Sequence, residues 1–224
     1  NPMGVDSHGS HCMGTMAGFG NNGPGASSGV AGVVWQARVV ALKWMDSSGW
    51  GTMAMTIEAI LYANAMGVQI TNNSWYYNPY SQAMKDAIDA GGAKGYLFMA
   101  AAGNFARDND VTPFYPASYD CDNIITVAAT DDNDDLAGFS QWGATSVDIA
   151  APGVQIYSAA PGSNYAFMSG TSMACPHVAG VAALVWSYSP TIGGPAIKQA
   201  ILNGADPLLN LNGLMTSGAR LNAF

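Results

Sequence analysis

The amino-acid sequence predicts an α/β fold in which a mostly parallel sheet lies between two layers of helices. Short apolar runs of strand length alternate along the chain with segments of helical period, which is typical of parallel sheets covered on both faces. Hydrophobic residues make up 49% of the 224 residues and charged residues only 10%, so the chain can bury a sizeable core. The 27 glycines indicate many tight turns and close backbone contacts.

The predicted elements follow one another in a regular order. Helices are expected at residues 8–18, 52–66, 81–90, 171–187 and 195–202, and strands at residues 38–44, 68–72, 96–102, 124–129 and 147–150. We expect Asp6 or Ser7 to cap the first helix, Gly67 to end the second and Pro190 to end the fourth. Because the sequence contains no internal repeat and no linker, a single domain over residues 1–224 is expected.

Composition and charge exclude several classes of function. Seven Lys and Arg residues stand against fifteen Asp and Glu, and no basic stripe is present, which argues against a nucleic-acid or anionic-membrane surface. No apolar run approaches the roughly 20 residues of a membrane span. Cys12, Cys121 and Cys175 lack the CxxC and CxxH spacings of metal sites, and their odd number leaves at least one thiol free or paired outside this chain.

A first candidate segment, HGSHCMGT at residues 8–15, places a histidine at the start of a predicted helix. Flanked by glycine, His8 can lie exposed at a cleft while the helix behind it packs. The alternatives are a metal-binding pair with His11 or a surface histidine without a catalytic role. The segment alone leaves these alternatives open.

Two further segments are candidates for the stabilisation of negative charge. In GTSMACPHVAG, residues 170–180, Ser172 lies at the N-terminus of an apolar helix, where backbone N–H groups and the helix dipole favour a developing oxyanion. The alternative is an ordinary helix-capping serine. In AAAGN, residues 100–104, a strand ends at Asn104, whose amide is placed to donate to an oxyanion; the alternative is a turn asparagine.

Together these motifs resemble those of the subtilases, the subtilisin-like serine proteases. HGSHCMGT is similar to the family motif HGTHVAGT, GTSMACPHVAG to GTSMA-x-PHVAG, and AAAGN to the segment that carries the oxyanion asparagine. Further matches in the same order extend the resemblance over essentially the whole chain, at residues 29–33, 73–75, 115–117, 151–154 and 218–223. The resemblance implies a three-layer αβα fold and a serine endopeptidase that acts through an acyl-enzyme.

The resemblance also implies roles for individual residues. Ser172 would be the nucleophile, His8 the general base, and Asn104 the side-chain donor to the oxyanion. His11 and His177 would be structural, and Cys12 a small buried residue beneath His8. The substrate-binding residues that the resemblance implies are Ser74, Trp75, Tyr76, Ala102 and Gly103.

This sequence departs from the family at the predicted side-chain pocket. The family usually has glycine at one or both of the positions that Tyr76 and Tyr77 occupy, and glycine leaves room for a substrate side chain. The two tyrosines are expected to narrow or cover the pocket, and Phe114 to shorten its floor. A closed and inactive groove is therefore the alternative to an active protease.

The catalytic aspartate of the family is expected to lie upstream of this sequence. The subtilase triad runs Asp, His, Ser along the chain, whereas only seven residues precede His8. Asp6 is too close to His8 in sequence to hold the far nitrogen of the imidazole. We therefore expect an upstream segment, as a separate chain or as part of a longer precursor, that supplies the aspartate and a strand of the central sheet. The alternative is a pseudoprotease or structural module in which Ser172 and His8 are relics.

The expected partners and cofactors follow from the same resemblance. A peptide or protein is the expected substrate, an ester or amine-acceptor activity is a further alternative, and catalysis needs no cofactor. Structural calcium is possible at the loop that begins at residues 21–23, since backbone carbonyl ligands leave no mark in a sequence. Secretion, or delivery to a vacuole-like compartment, is typical of the family.

Overall fold

The computed structural model describes residues 7–21, 29–46 and 48–223. The helices in these ranges are α1 (Ser7–Ala17), α2 (Met53–Met66), α3 (Gln82–Gly92), α4 (Thr171–Tyr188) and α5 (Gly194–Asn203). The strands are β1 (Ile70–Asn73), β2 (Leu97–Ala101), β3 (Ile124–Thr130), β4 (Ile149–Pro152), β5 (Ile156–Ala160), β6 (Asn164–Met168), β7 (Asp206–Pro207) and β8 (Ala219–Arg220). A short 3₁₀ helix spans Leu209–Leu211. None of the described helices is long and apolar enough to cross a membrane.

The central sheet is mostly parallel. Its strand order is β1-β2-β3-β4-β8-β7, and β7, which is antiparallel to β8, is the exception. The register pairs Asn73 with Ala100 and Ala101 with Val127. The carboxyl ends of β1 and β2 therefore lie side by side, at the edge where parallel sheets usually carry their sites.

Both faces of the sheet are covered by helices. Along β2, Leu97 and Met99 belong to the core cluster that includes Val178 of α4, whereas Phe98 packs with Ile60 of α2 and Ile88 of α3. Successive strand residues thus face opposite layers, and every residue of β2 is buried. The predicted three-layer α/β fold is confirmed.

Capping residues define both ends of α2, and of these only Gly67 was predicted. The Thr52 hydroxyl accepts a hydrogen bond from the backbone N–H of Met55 at 3.2 Å. This N–H lies in the first turn of α2, where backbone N–H groups have no carbonyl partner within the helix. Gly67 ends the same helix with a φ of 73°, a left-handed conformation that glycine adopts without steric cost. The cap expected from Asp6 lies outside the described residues.

Two sequence-based predictions differ from the structure. The strand predicted over residues 38–44 is wrong: these residues belong to no strand, and Val39 and Val40 are 41% and 50% exposed. The antiparallel pair β5–β6 was not predicted, although residues 161–163 (Pro-Gly-Ser) carry a turn signal. The imidazole of His11 secures this hairpin, because its Nε2 lies 2.9 Å from the Ile156 carbonyl and 3.1 Å from that of Ala166.

Candidate active site

Ser172 lies in the first turn of α4, at the carboxyl edge of the sheet. The helix begins at Thr171 directly after Gly170, and its first backbone N–H groups point toward the sheet edge. Ser172 is half-buried, and its Oγ lies 3.4 Å from the carbonyl oxygen of Ser74, the residue that follows β1. The hydroxyl is thus placed between the start of a helix and the end of a strand.

Pro176 changes the hydrogen bonding of Ser172. In a regular helix the N–H of residue 176 would donate to the carbonyl of residue 172, but proline has no N–H. Two side chains from other elements donate to this carbonyl instead: the Ser74 hydroxyl at 2.9 Å and the Cys12 thiol at 3.3 Å. The backbone of Ser172 is therefore tied both to the end of β1 and to α1.

His8 lies on the face of α1 that is turned toward α4. Residues four apart share one face of a helix, so His8 and Cys12 project in the same direction. Because Cys12 contacts the Ser172 carbonyl, this common face is the one nearest the start of α4. His8 is half-buried and precedes Cys12 by one turn, which places it on the outer, more accessible end of the α1–α4 contact.

The side chain of Asn104 is held in one orientation. Its Oδ1 accepts the backbone N–H of Thr171 at 2.8 Å and the Thr171 hydroxyl at 2.9 Å. The amide nitrogen therefore points away from Thr171. A methyl carbon built on Gly170 would lie 3.5 Å from this nitrogen and 3.6 Å from the backbone nitrogen of Ser172. Both nitrogens thus lie within 4 Å of one point beside Gly170, as does Asn104 Oδ1 at 3.7 Å.

Gly103 allows the chain to turn immediately before Asn104. Its φ is 113°, and a Cβ at this position would meet Gln141 Oε1 at 2.1 Å and Phe114 Cε1 at 2.7 Å, so no other residue fits. The Gly103 N–H donates to the Thr171 hydroxyl at 3.1 Å. The Thr171 hydroxyl therefore links two consecutive residues of the turn, and the fully buried position of Thr171 makes this link rigid.

The five predicted substrate-binding residues differ in accessibility. Tyr76 is 53% exposed at the carboxyl edge, whereas Trp75 turns inward and packs edge-on against Trp44 and Phe98. Ser74 is nearly buried beside Ser172. Ala102 and Gly103 are buried, and the N–H and carbonyl groups of both residues already have protein partners. Their direct contact with a substrate stays a prediction.

Burial changes the pKa values of His177, Cys121 and Cys175. Burial lowers the pKa of His177, whose Nδ1 lies 2.9 Å from the Met173 carbonyl. Burial raises the pKa of Cys121 to about 12 and also raises that of Cys175. Cys12, Cys121 and Cys175 form no disulfide. Neither Cys121 nor Cys175 is therefore expected to supply a thiolate near neutral pH.

The residues that the structure describes contain no group of three or more His, Cys, Asp or Glu side chains that could hold a metal ion. The calcium loop predicted from residue 21 lies largely at residues 22–28, outside the described residues. A structural calcium ion therefore stays a prediction.

Several residues that build the site were not singled out from the sequence. Thr171 belongs to the serine motif, but only the structure reveals that it orients the amide of Asn104. Pro176 belongs to the same motif, but only the structure reveals which side chains bind the carbonyl that it leaves available. Phe105 and Arg107 follow Asn104 without any motif; Phe105 contacts Tyr76, which is distant in sequence, and Arg107 lies over the Phe105 ring.

Comparisons with known proteins show the family of this chain. Residues 1–219 match the model of the subtilase family, and the chain belongs to that family. It is 39% identical to a thermophilic serine proteinase of Bacillus sp. (strain AK1) over 223 residues, which are 100% of this chain and 52% of that protein. It is also 39% identical to thermitase of Thermoactinomyces vulgaris, covering 100% of this chain and 75% of the relative. Subtilisin Savinase of Lederbergia lenta is 38% identical, over 92% of this chain and 72% of its own.

Proposed function

We propose that this chain forms the greater part of a serine endopeptidase domain that hydrolyses peptide bonds through an acyl-enzyme on Ser172. One observation carries the proposal: the amide nitrogen of Asn104 and the backbone nitrogen of Ser172 lie within 4 Å of one point beside Gly170, while Asn104 Oδ1 accepts the Thr171 N–H. Two N–H donors close to a serine hydroxyl are what the tetrahedral oxyanion of acyl transfer requires. Membership of the subtilase family supports the same reaction class.

The proposed reaction proceeds in two halves. Ser172 Oγ attacks the peptide carbonyl carbon while His8 takes the hydroxyl proton, and the new oxyanion accepts hydrogen bonds from Asn104 and from the Ser172 N–H. The C–N bond then breaks as His8 gives that proton to the leaving amine. Water attacks the resulting ester with His8 again as base, and the acid product leaves with Ser172 regenerated. No metal or organic cofactor takes part in these steps.

An extended peptide is the proposed substrate. β1 pairs with β2 alone within the described part of the sheet, and the residues that follow β1 lead directly to the Ser172 side chain. A peptide that lies beside Ser74 and Tyr76 as an additional strand brings its carbonyl to the space between Asn104 and Ser172. Secretion, or delivery to a vacuole-like compartment, is the proposed location, by analogy with the family.

An upstream segment that carries the third member of the triad is part of the proposal. The segment at residues 38–44 belongs to no strand, its Val39 and Val40 are partly exposed, and no described strand pairs with it or with the outer edge of β1. A strand inserted beside β1 would satisfy these backbone groups and deliver a carboxylate near His8. The chain spans about half of the thermophilic serine proteinase that it matches, so the activity of a whole protein is a proposal.

A catalytically inactive subtilase fold is the second candidate. The observation that favours it is the stacking of Tyr76 on Phe114 beside Asn104, with ring centroids 4.7 Å apart, because this contact fills space that a substrate side chain could occupy. Even so, the intact arrangement of Ser172, Asn104 and Thr171 favours an enzyme, since a structural module does not require an oriented amide donor.

Covalent labelling tests the proposed function directly. The full-length protein is treated with a small fluorophosphonate, and the labelled peptide is identified by mass spectrometry, with Ser172→Ala as the matched control. Labelling confined to Ser172 is expected, because the reagent needs an activated hydroxyl and oxyanion donors but no side-chain pocket. A well-folded protein that does not react would support the inactive fold.

A further inference from the structure

An aromatic cluster, formed by Tyr76, Phe105 and Phe114, lies beside the candidate oxyanion donors. The Tyr76 and Phe114 rings are stacked with an interplanar angle of 29°, and Phe105 lies edge-on to both at 5.8 and 5.7 Å. The guanidinium of Arg107 lies 5.4 Å from the Phe105 ring and 5.3 Å from the Phe114 ring. A cation over two rings and the offset stacking both favour this arrangement.

The position of the cluster is fixed by residues of the site itself. Phe114 is 2% exposed, and its ring edge lies so close to Gly103 that a Cβ there would be 2.7 Å away. Tyr76 follows Ser74 by two residues, and Phe105 follows Asn104 directly. The cluster therefore fills the space between the segment after β1 and the segment after β2.

A substrate side chain would have to enter this same space. If the attacked carbonyl lies between Asn104 and Ser172, its residue lies between the two strand ends, with Ser74 on one side and Gly103 on the other. In an extended chain, side chains stand away from the strand axis, so this side chain points into the gap. The Phe114 ring already lies in this gap, and the Tyr76 ring stacks on it and covers it.

From this geometry we infer that the enzyme cleaves after residues with very small side chains, glycine and alanine above all, and excludes large apolar residues such as phenylalanine and leucine. The inference rests on the proposed function and specifies its substrate class. Tyr76 and Phe114 are the specificity-determining residues. Phe114 forms the bottom of the side-chain pocket, and the Tyr76 ring covers Phe114. Arg107 holds Phe105 and Phe114 together through its position over both rings.

The test compares two peptide anilides that differ only in the residue before the cleaved bond, alanine or phenylalanine. For the full-length protein, kcat/KM for the alanine substrate is expected to exceed that for the phenylalanine substrate by about tenfold or more, the usual penalty for a side chain that a pocket cannot admit. The double variant Tyr76→Gly and Phe114→Ala is expected to reverse this order. Equal or faster cleavage after phenylalanine by the unmodified protein would overturn the inference.

Two controls separate the pocket from catalysis and from folding. Tyr157→Ala removes an exposed ring of similar accessibility to Tyr76, 49% against 53%, but on β5, and is expected to keep the alanine preference, whereas Tyr76→Ala weakens it. Equilibrium binding of the two peptides to Ser172→Ala measures the same preference without chemistry. A failure of fluorophosphonate labelling would refute the proposed activity, whereas tighter binding of the phenylalanine peptide would refute the closed pocket.

Discussion

At the scale of single residues, the site depends on a carbonyl that the helix does not use. Pro176 cannot donate to the Ser172 carbonyl, which Ser74 and Cys12 bind from two other elements. A proline in the second turn of a helix would ordinarily be a defect. Here it allows Ser172, the proposed nucleophile, to be held from outside the helix, so the serine motif also contains a residue that positions the Ser172 backbone.

Replacement of Ser74 by alanine tests this positioning role. The variant loses the 2.9 Å hydrogen bond to the Ser172 carbonyl, worth about 1 kcal/mol, and kcat/KM is expected to fall roughly fivefold to tenfold. The rate of fluorophosphonate labelling should fall by a similar factor, while Ser74→Thr, which keeps the hydroxyl, restores it. If Ser74→Ala lowers only the free energy of unfolding and leaves the labelling rate unchanged, Ser74 has no positioning role.

At the scale of elements, helices were easier to predict than strands. The boundaries of α2 follow from local signals, the Thr52 cap and the Gly67 stop, which do not depend on the rest of the fold. A strand needs a neighbour, and residues 38–44 have the composition of a strand without a described partner. The β5–β6 pair was missed although residues 161–163 carry a turn signal, and its contacts with His11 of α1, more than a hundred residues away in sequence, leave no local pattern.

The outer edge of β1 provides a prediction at this scale. If a segment precedes Asn1 in the natural protein and inserts a strand beside β1, its addition should slow amide hydrogen exchange in residues 70–73. It should also raise kcat by about four orders of magnitude, the usual effect of restoring a triad aspartate. A matched segment with that aspartate changed to asparagine is expected to protect β1 equally but to leave kcat low. If the native segment slows exchange in residues 70–73 but does not raise kcat, the proposed triad is contradicted.

At the scale of the whole molecule, motifs identified the candidate site better than its specificity. His8, Asn104 and Ser172 lie in contiguous motifs, so their sequence neighbours identify them, although their roles remain predictions. The aromatic cluster is different, because Tyr76, Phe105 and Phe114 come from three segments that meet only in the folded chain. The sequence indicated a pocket narrowed by Tyr76, Tyr77 and Phe114, but in the structure Tyr77 packs against the core cluster that contains Phe98. The contributions of Phe105 and Arg107 required the three-dimensional contacts.

Burial of His177 links the stability of the whole fold to pH. His177 lies within α4, which packs on four strands of the sheet, and desolvation holds its pKa below the ordinary value of 6.5. In the unfolded chain the ring titrates near that ordinary value, so between the two pKa values the unfolded state binds more protons. The contribution of neutral His177 is therefore complete above about pH 6.5 and is lost as the pH falls through the folded-state pKa.

We expect the free energy of unfolding in urea to decrease from pH 8 to pH 5, and to decrease less in His177→Gln. Glutamine has no group that gains a proton in this range, yet its amide can still donate to the Met173 carbonyl that now lies 2.9 Å from Nδ1. The difference between the two pH profiles isolates His177, because all other titrating groups are common to both proteins. Parallel profiles would mean that the imidazole is protonated in the folded protein as readily as in the unfolded chain, and that its burial does not control acid stability.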